Sequence, residues 1–179
     1  LKNVKLSIKR HFKPIFYIFM MLISVSLYYN INPIIIGFLS TNENVGYFST
    51  YMRILSIILG LISAYTAVIF PRFTYHVENN NEEEYNKLSK KAFNFINYMI
   101  FPIMMLLLAF GKEIIGIFAG NDFTGEISAF YIIVPVIYFS SISTLLGVQI
   151  LLPYKQEKRT IWPPIFGAVT NLAISILFI

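Results

Sequence analysis

From Ile15 to Pro71 the chain carries two charged residues, Glu43 and Arg53. The turn-forming residues Ser40 to Gly46 divide this stretch into two apolar segments. Each approaches or exceeds the about 20 helical residues that cross a hydrocarbon core of about 30 Å at 1.5 Å per residue. In the second segment Ser49, Arg53, Ser56, Gly60, Ser63 and Ala67 follow at steps of four, three, four, three and four, so they share one helical face. Ser26, Asn30, Pro33, Gly37 and Ser40 repeat the alternation in the first segment. In lipid, a small and polar face of this kind either packs closely against another helix or walls a water-filled cavity.

Composition extends the membrane reading to the whole chain. Hydrophobic residues make up 56% and charged residues 13%, against about 25% charged in ordinary soluble domains. The expectation is an all-α integral membrane protein with five transmembrane helices over about 15–39, 47–70, 93–110, 127–152 and 162–179. The last is cut short inside an apolar run, and the chain begins at Leu1 rather than Met, so a piece of a longer protein is expected. There is no cysteine, which excludes disulfides, thiolate metal sites and cysteine nucleophiles.

The hydrophilic segments set the orientation. Residues 1–14 hold Lys2, Lys5, Lys9, Arg10 and Lys13, the segment 71–92 holds Arg72, Lys87, Lys90 and Lys91, and 153–161 holds Lys155, Lys158 and Arg159. Twelve basic residues thus fall on one side of the membrane, and Lys112 alone on the other. By the positive-inside rule the N-terminus and both of these loops are cytoplasmic. The lead-in 1–14 suits a basic helix on anionic membrane lipids, or else a solvated linker.

Local signals refine the spans. Asn30, Asn32 and Pro33 are expected to bend or unwind the first, and the second is expected to end at Pro71 and Arg72. Asn81 ahead of Glu82, Glu83 and Glu84 reads as a helix start, with Glu83 and Lys87 an i,i+4 pair. Pro102 lies in the third span and Pro135 in the fourth, while Gly111 to Gly120 reads as a short amphipathic piece at the far interface.

No catalytic constellation is present. His11 and His76 lack metal-ligand spacing, Asp122 is the sole aspartate, and no nucleophile elbow or phosphate-binding glycine loop occurs. Neither an enzyme, a cofactor nor a metal is expected, and no nucleic acid partner. The spans also lack a carboxylate, which leaves Arg53 as their ionisable group and favours an anionic substrate. An arginine at mid-helix costs roughly 2.5 to 3.5 kcal/mol by insertion scales. Arg53 therefore snorkels, pairs with an acid elsewhere, or grips phosphate from the wall of an aqueous cavity. Gln149 and Asn171 fit interhelical hydrogen bonding or the cavity.

The run IGFLSTNENVGYFSTYMRIL, FPRF at Phe70 to Phe73, GKEIIGIFAG, LLGVQILLPYKQEKR and GAVTNLAISI resemble, in order and spacing, the second half of the polysaccharide-biosynthesis oligosaccharide flippases of the Wzx or O-antigen transporter type. These belong to the multidrug/oligosaccharidyl-lipid/polysaccharide exporter superfamily. The resemblance implies a fold of two helical lobes facing a central cavity, this chain supplying the first five helices of the C-terminal lobe. It implies a multi-pass protein of the bacterial cytoplasmic membrane. It would flip polyprenyl-pyrophosphate-linked oligosaccharide for O-antigen or capsule by alternating access, without nucleotide hydrolysis and with Na+ or H+ as a coupling ion. Its partners would be the lipid-linked oligosaccharide, anionic membrane lipids and the first lobe. The substrate-binding candidates are Arg53, Ser49, Ser56, Asn30 and Ser26, with Pro33, Pro102 and Pro135 as bends for lobe closure. Asn32 departs from the pattern, since such flippases often carry an acid near that position. A drug or cation exporter of the same superfamily and a membrane glycosyltransferase or polymerase are the alternatives. The first predicts a carboxylate in the other lobe and the second catalytic residues in large loops.

Overall fold

A computed structural model describes residues 8–178, and Lys2 and Lys5 of the basic lead-in lie outside the described residues. Among these residues the chain is helical throughout, with no strand. The helices are α1 (Ile8–Leu39), α2 (Asn42–Glu78), α3 (Glu82–Ala119), α4 (Ile127–Ile133), α5 (Val136–Thr144) and α6 (Glu157–Phe178). A single 3₁₀ turn, Asn121–Thr124, precedes α4, and a π-helical segment, Leu145–Leu151, continues α5. Three helical stretches, Asn42–Glu78, Glu82–Ala119 and Ile127–Leu151, are long and apolar enough to cross a membrane.

The core lies between α2, α3 and the α4–α5 stretch. On α2 the buried residues Tyr51, Leu55, Ile58, Ile62, Thr66, Ile69 and Phe73 follow at helical spacing, and they meet Ile96, Ile100 and Ile115 of α3 and Phe130, Val134 and Ile137 of α4–α5. Two tyrosines fasten this core at its ends. Tyr51 donates its hydroxyl to the Phe123 carbonyl at 3.1 Å and packs edge-on against Phe130. At the other end Tyr85 donates to the Ile150 carbonyl at 3.3 Å and packs edge-on against Phe73 and Tyr154. A tyrosine serves both places because its ring fills apolar space while its hydroxyl reaches a carbonyl. Helix α1 packs chiefly along α6 and makes a smaller contact with α2.

Several boundaries differ from the sequence expectation. The first span is not unwound at Asn30, Asn32 and Pro33: α1 is helical through all three. Asn30 turns its amide back to the Ser26 carbonyl at 2.7 Å, inside the helix. Nor does α2 end at Pro71 and Arg72. It continues to Glu78, because the next inward position, Phe73, is fully buried against Tyr85, and that burial outweighs the hydrogen bond a proline removes. The segment 71–92 is therefore a helical hairpin with a turn at Asn79–Asn81, where Asn80 takes a positive φ of 53°. Similarly, α6 starts at Glu157, ahead of Trp162, Pro163 and Pro164.

The start of α3 matches the sequence pattern. Asn81 caps it by accepting from the Glu84 N–H, and Lys87 lies 2.8 Å from Glu83 and 2.9 Å from Glu84. In these polar first turns, outside the apolar run, hydrogen bonds to Glu83 and Glu84 hold the Lys87 ammonium above its usual range, and Lys87 holds Glu84 below the usual carboxylate range. Farther on, α3 kinks at Phe110, with φ −121° and ψ 23°, which sets off the piece from Gly111 at the expected position. Pro102 lies within α3 without breaking it. Pro135, by contrast, separates α4 from α5.

Candidate functional site

The polar stripe of α2 falls on the side of the helix away from the core. Arg53, Ser56, Gly60, Ser63 and Ala67 are exposed and Ser49 is half-buried, while Tyr51, Leu55, Ile58 and Ile62 are buried. At about 100° per residue the stripe centres nearly opposite the packed face. Beside it runs a second exposed strip that is wholly apolar, Ile57, Leu61, Ala64 and Val68. The exposed half of α2 is thus divided into a small, polar lane and a greasy one. A lipid-facing helix needs only the second.

Within the lane the polar groups are anchored to the backbone. Ser56 donates its hydroxyl to the Arg53 carbonyl at 2.7 Å. Among the described residues the Arg53 guanidinium has no hydrogen bond or ion pair, and the residue is exposed. A side chain added at Gly60 would meet nothing within 4 Å. On α1, Ser26 and Asn30 are likewise exposed, and the Asn30 amide lies 2.7 Å from the Ser26 carbonyl and 3.4 Å from its hydroxyl. The fold therefore joins Ser26 to Asn30 and Ser56 to Arg53. Among the described residues no hydrogen bond links the two helices' stripes, and none of these five candidates lines either of the two hollows described below.

Gln149 and Asn171 take a different setting. Gln149 is 2% exposed and sits in the π-helical segment, while Asn171 is half-buried on α6. Both carry a side-chain carbonyl oxygen, Oε1 of Gln149 and Oδ1 of Asn171, that is buried without a hydrogen-bond partner. Their surroundings are those of packed helices. Single-turn π segments recur at functional sites because they disturb the regular ladder, and the Tyr85 hydroxyl bonds to the carbonyl next to Gln149.

Two hollows were not anticipated. One, of about 430 Å³, lies between the ends of α1, α2 and α4 and is lined by Ser40, Asn44, Tyr47, Tyr51, Glu126 and Ala129. Its members come from three places in the chain, and only the i,i+4 bonds Asn44 to Ser40 and Tyr47 to Glu43, both 2.8 Å, are visible as spacing. The other, of about 500 Å³, is a groove on α3 and α5 lined by Phe93, Asn94, Asn97, Tyr98, Phe101 and Tyr138. Among the described residues no group of His, Asp and Glu could hold a metal ion.

A family model described as "Polysaccharide biosynthesis protein" matches residues 3–128. An Escherichia coli (strain K12) protein named "Putative O-antigen transporter" is 25% identical over 153 residues, which is 86% of this chain and 37% of that protein. A Haloferax volcanii protein named "Probable low-salt glycan biosynthesis flippase Agl15" is 23% identical over 145 residues, 81% of this chain and 30% of its own length. The chain thus spans about a third of the length of these curated relatives. No solved structure matches it significantly. The family match covers well over half of the chain, and its subject is the one that the sequence resemblance pointed to: the chain belongs to the polysaccharide biosynthesis protein family.

Proposed function

We propose that the chain is part of a transporter that flips polyprenyl-pyrophosphate-linked oligosaccharide across the bacterial cytoplasmic membrane, for O-antigen or capsule. The observation that carries this reading is the exposed lane on α2, with Arg53 in it and the packed face opposite, in a member of a polysaccharide biosynthesis family. The name of the E. coli relative, an O-antigen transporter, and that of the H. volcanii relative, a glycan biosynthesis flippase, support the same class. In this reading the chain spans the membrane five times with its N-terminus in the cytoplasm and belongs to the second of two lobes.

The mechanism follows from the lane's chemistry. Arg53 presents a planar fork of donors that matches two phosphate oxygens. In a cavity walled by protein and lipid its field is screened less than in bulk water, which favours a pyrophosphate entering from the cytoplasmic leaflet. Ser49, Ser56, Gly60 and Ser63 keep the wall thin and polar, leaving room for sugars. Ser26 and Asn30 extend the polar wall onto α1. The facing lobe completes the cavity, and alternate opening to the two leaflets moves the glycan, drawing on a gradient of Na+ or H+ rather than on nucleotide hydrolysis.

The reading is tested by mass spectrometry of lipid-linked glycans in cells depleted of the full-length protein. A complete polyprenyl-pyrophosphate oligosaccharide should accumulate on the cytoplasmic leaflet, and the parent sequence should clear it. Arg53→Ala should clear it at least about ten-fold more slowly, the effect of losing a charged hydrogen bond of roughly 1.5–3 kcal/mol, and Arg53→Lys should recover only part of the rate. An unchanged lipid-linked pool would overturn the flippase reading in favour of a drug or cation exporter, and a pool of incomplete glycans would point to a glycosyltransferase or polymerase.

A further inference from the structure

Along α3 the groove on α3 and α5 is continued by two lysines that the transport reading does not use. Lys90, Asn94, Asn97 and Phe101 follow along α3 at steps of four, three and four, and Lys91, Asn94 and Tyr98 at three and four. The two lines converge on one side of the helix. Phe93, Tyr98 and Phe101 are exposed, Tyr98 by 80%, and Phe101 stacks obliquely on Tyr138 of α5 with ring centres 5.4 Å apart. Asn97 donates to the Phe93 carbonyl at 2.7 Å, whereas the Asn94 amide is exposed. Lys87 is occupied by Glu83 and Glu84. Lys90 and Lys91, the next two basic residues, are exposed and make no ion pair or hydrogen bond among the described residues, Lys91 feeling the Glu84 carboxylate at longer range.

We propose that this groove binds an anionic phospholipid, its phosphate on Lys90 and Lys91, its ester region at Asn94 and Asn97, and one acyl chain along Tyr98, Phe101 and Tyr138. Three observations fit that occupant. From Lys90 to Phe101 the helix rises about 16 Å, close to half the about 30 Å hydrocarbon thickness, so the cationic end and the aromatic floor match one leaflet in depth. The order of chemistry along the groove, cation then amide then ring, is the order of a phospholipid from headgroup to tail. No acid is among the residues that line the groove, and Glu83 and Glu84, beyond its lysine end, are held by Lys87. The groove also lies apart from the α2 lane. Helix α2 meets α3 through Tyr65, stacked on Phe95 at 4.1 Å, and Phe95 is about 100° round α3 from Asn94. A leaflet lipid therefore fits better here than the transported lipid, and the inference stands whether or not the chain is a flippase.

Native mass spectrometry of the intact protein, titrated with phosphatidylglycerol and with phosphatidylcholine of the same chains, tests this. Phosphatidylglycerol should bind the more tightly, and Lys90→Gln and Lys91→Gln should each weaken it about five-fold and weaken phosphatidylcholine, whose choline offsets the phosphate charge, by less. Tyr98→Ser, at a position 80% exposed, should weaken both lipids. Lys112→Gln, at the other end of α3, should change neither. Equal binding of the two lipids, or an equal loss in Lys112→Gln, would overturn the proposal. So would displacement of phosphatidylglycerol by an equimolar polyprenyl phosphate, which would make the groove a substrate site.

Discussion

At Gly111 the rings of Phe130 and Tyr131 come so near the backbone that an added methyl group would lie 2.9 Å from one and 2.8 Å from the other. Phe130 is fully buried and Tyr131 half-buried, so the Phe130 ring has no easy path of retreat. Gly111→Ala should therefore lower the thermal midpoint in detergent, by about 1–3 kcal/mol of overpacking, even though alanine is the better helix former. Gly116→Ala, where the added group meets only the exposed Asn121 side chain at 3.0 Å, should cost less. Residues of this kind were not legible beforehand, since a glycine in an apolar run looks the same whether it faces a ring or lipid. Arg53 was legible for the opposite reason. A lone charge in a helix otherwise free of it stands out in any window, and its neighbours at steps of three and four place it on a face. Gln149 was legible as an intramembrane amide, but not its burial, which depends on a π-helical turn that seven residues of sequence do not specify.

At the scale of elements, charge and apolar patterning placed the start of α3 and the break between Phe110 and Gly111, because those signals are local. They misplaced the end of α2, because it is decided by Phe73 finding Tyr85, twelve positions on across the hairpin. Prolines divide in the same way. Pro33 and Pro102 sit in helices that run through them, while Pro135 coincides with the gap between α4 and α5. There the Val134 N–H still bonds to the Phe130 carbonyl at 3.0 Å, and the Ile137 N–H tightens to an i−3 bond with Val134 at 3.1 Å. Pro135→Ala restores a missing donor to that break and should fuse α4 with α5. The expected result is a higher thermal midpoint, from a gain below the roughly 3 kcal/mol that separates proline from alanine in a helix interior, because Pro135 stands at the start of α5. A midpoint that falls would mean that the break is held by packing rather than by the proline.

For the molecule as a whole, the informative contrast is between what the core consumes and what it leaves. Helices α2, α3 and α4–α5 close around one another, α1 and α6 pair beside them, and the polar lane of α2 is left facing out next to a lane of Ile57, Leu61, Ala64 and Val68. Sequence periodicity showed that the polar lane exists. It could not show that the core takes neither lane, because which face is buried depends on residues of α3 and α4 tens of positions away. If the polar lane borders a transport path, water reaches it in the membrane and does not reach its apolar neighbour. The chain has no cysteine of its own, so single cysteines can be read one at a time in the full-length protein made cysteine-free. The most direct measurement is labelling by a membrane-impermeant thiol reagent of Ser56→Cys and Ser63→Cys against Leu61→Cys and Val68→Cys, in membranes. The account predicts labelling of the first pair, slowed by added lipid-linked oligosaccharide, and none of the second. Equal labelling of both pairs, or of neither, would contradict it.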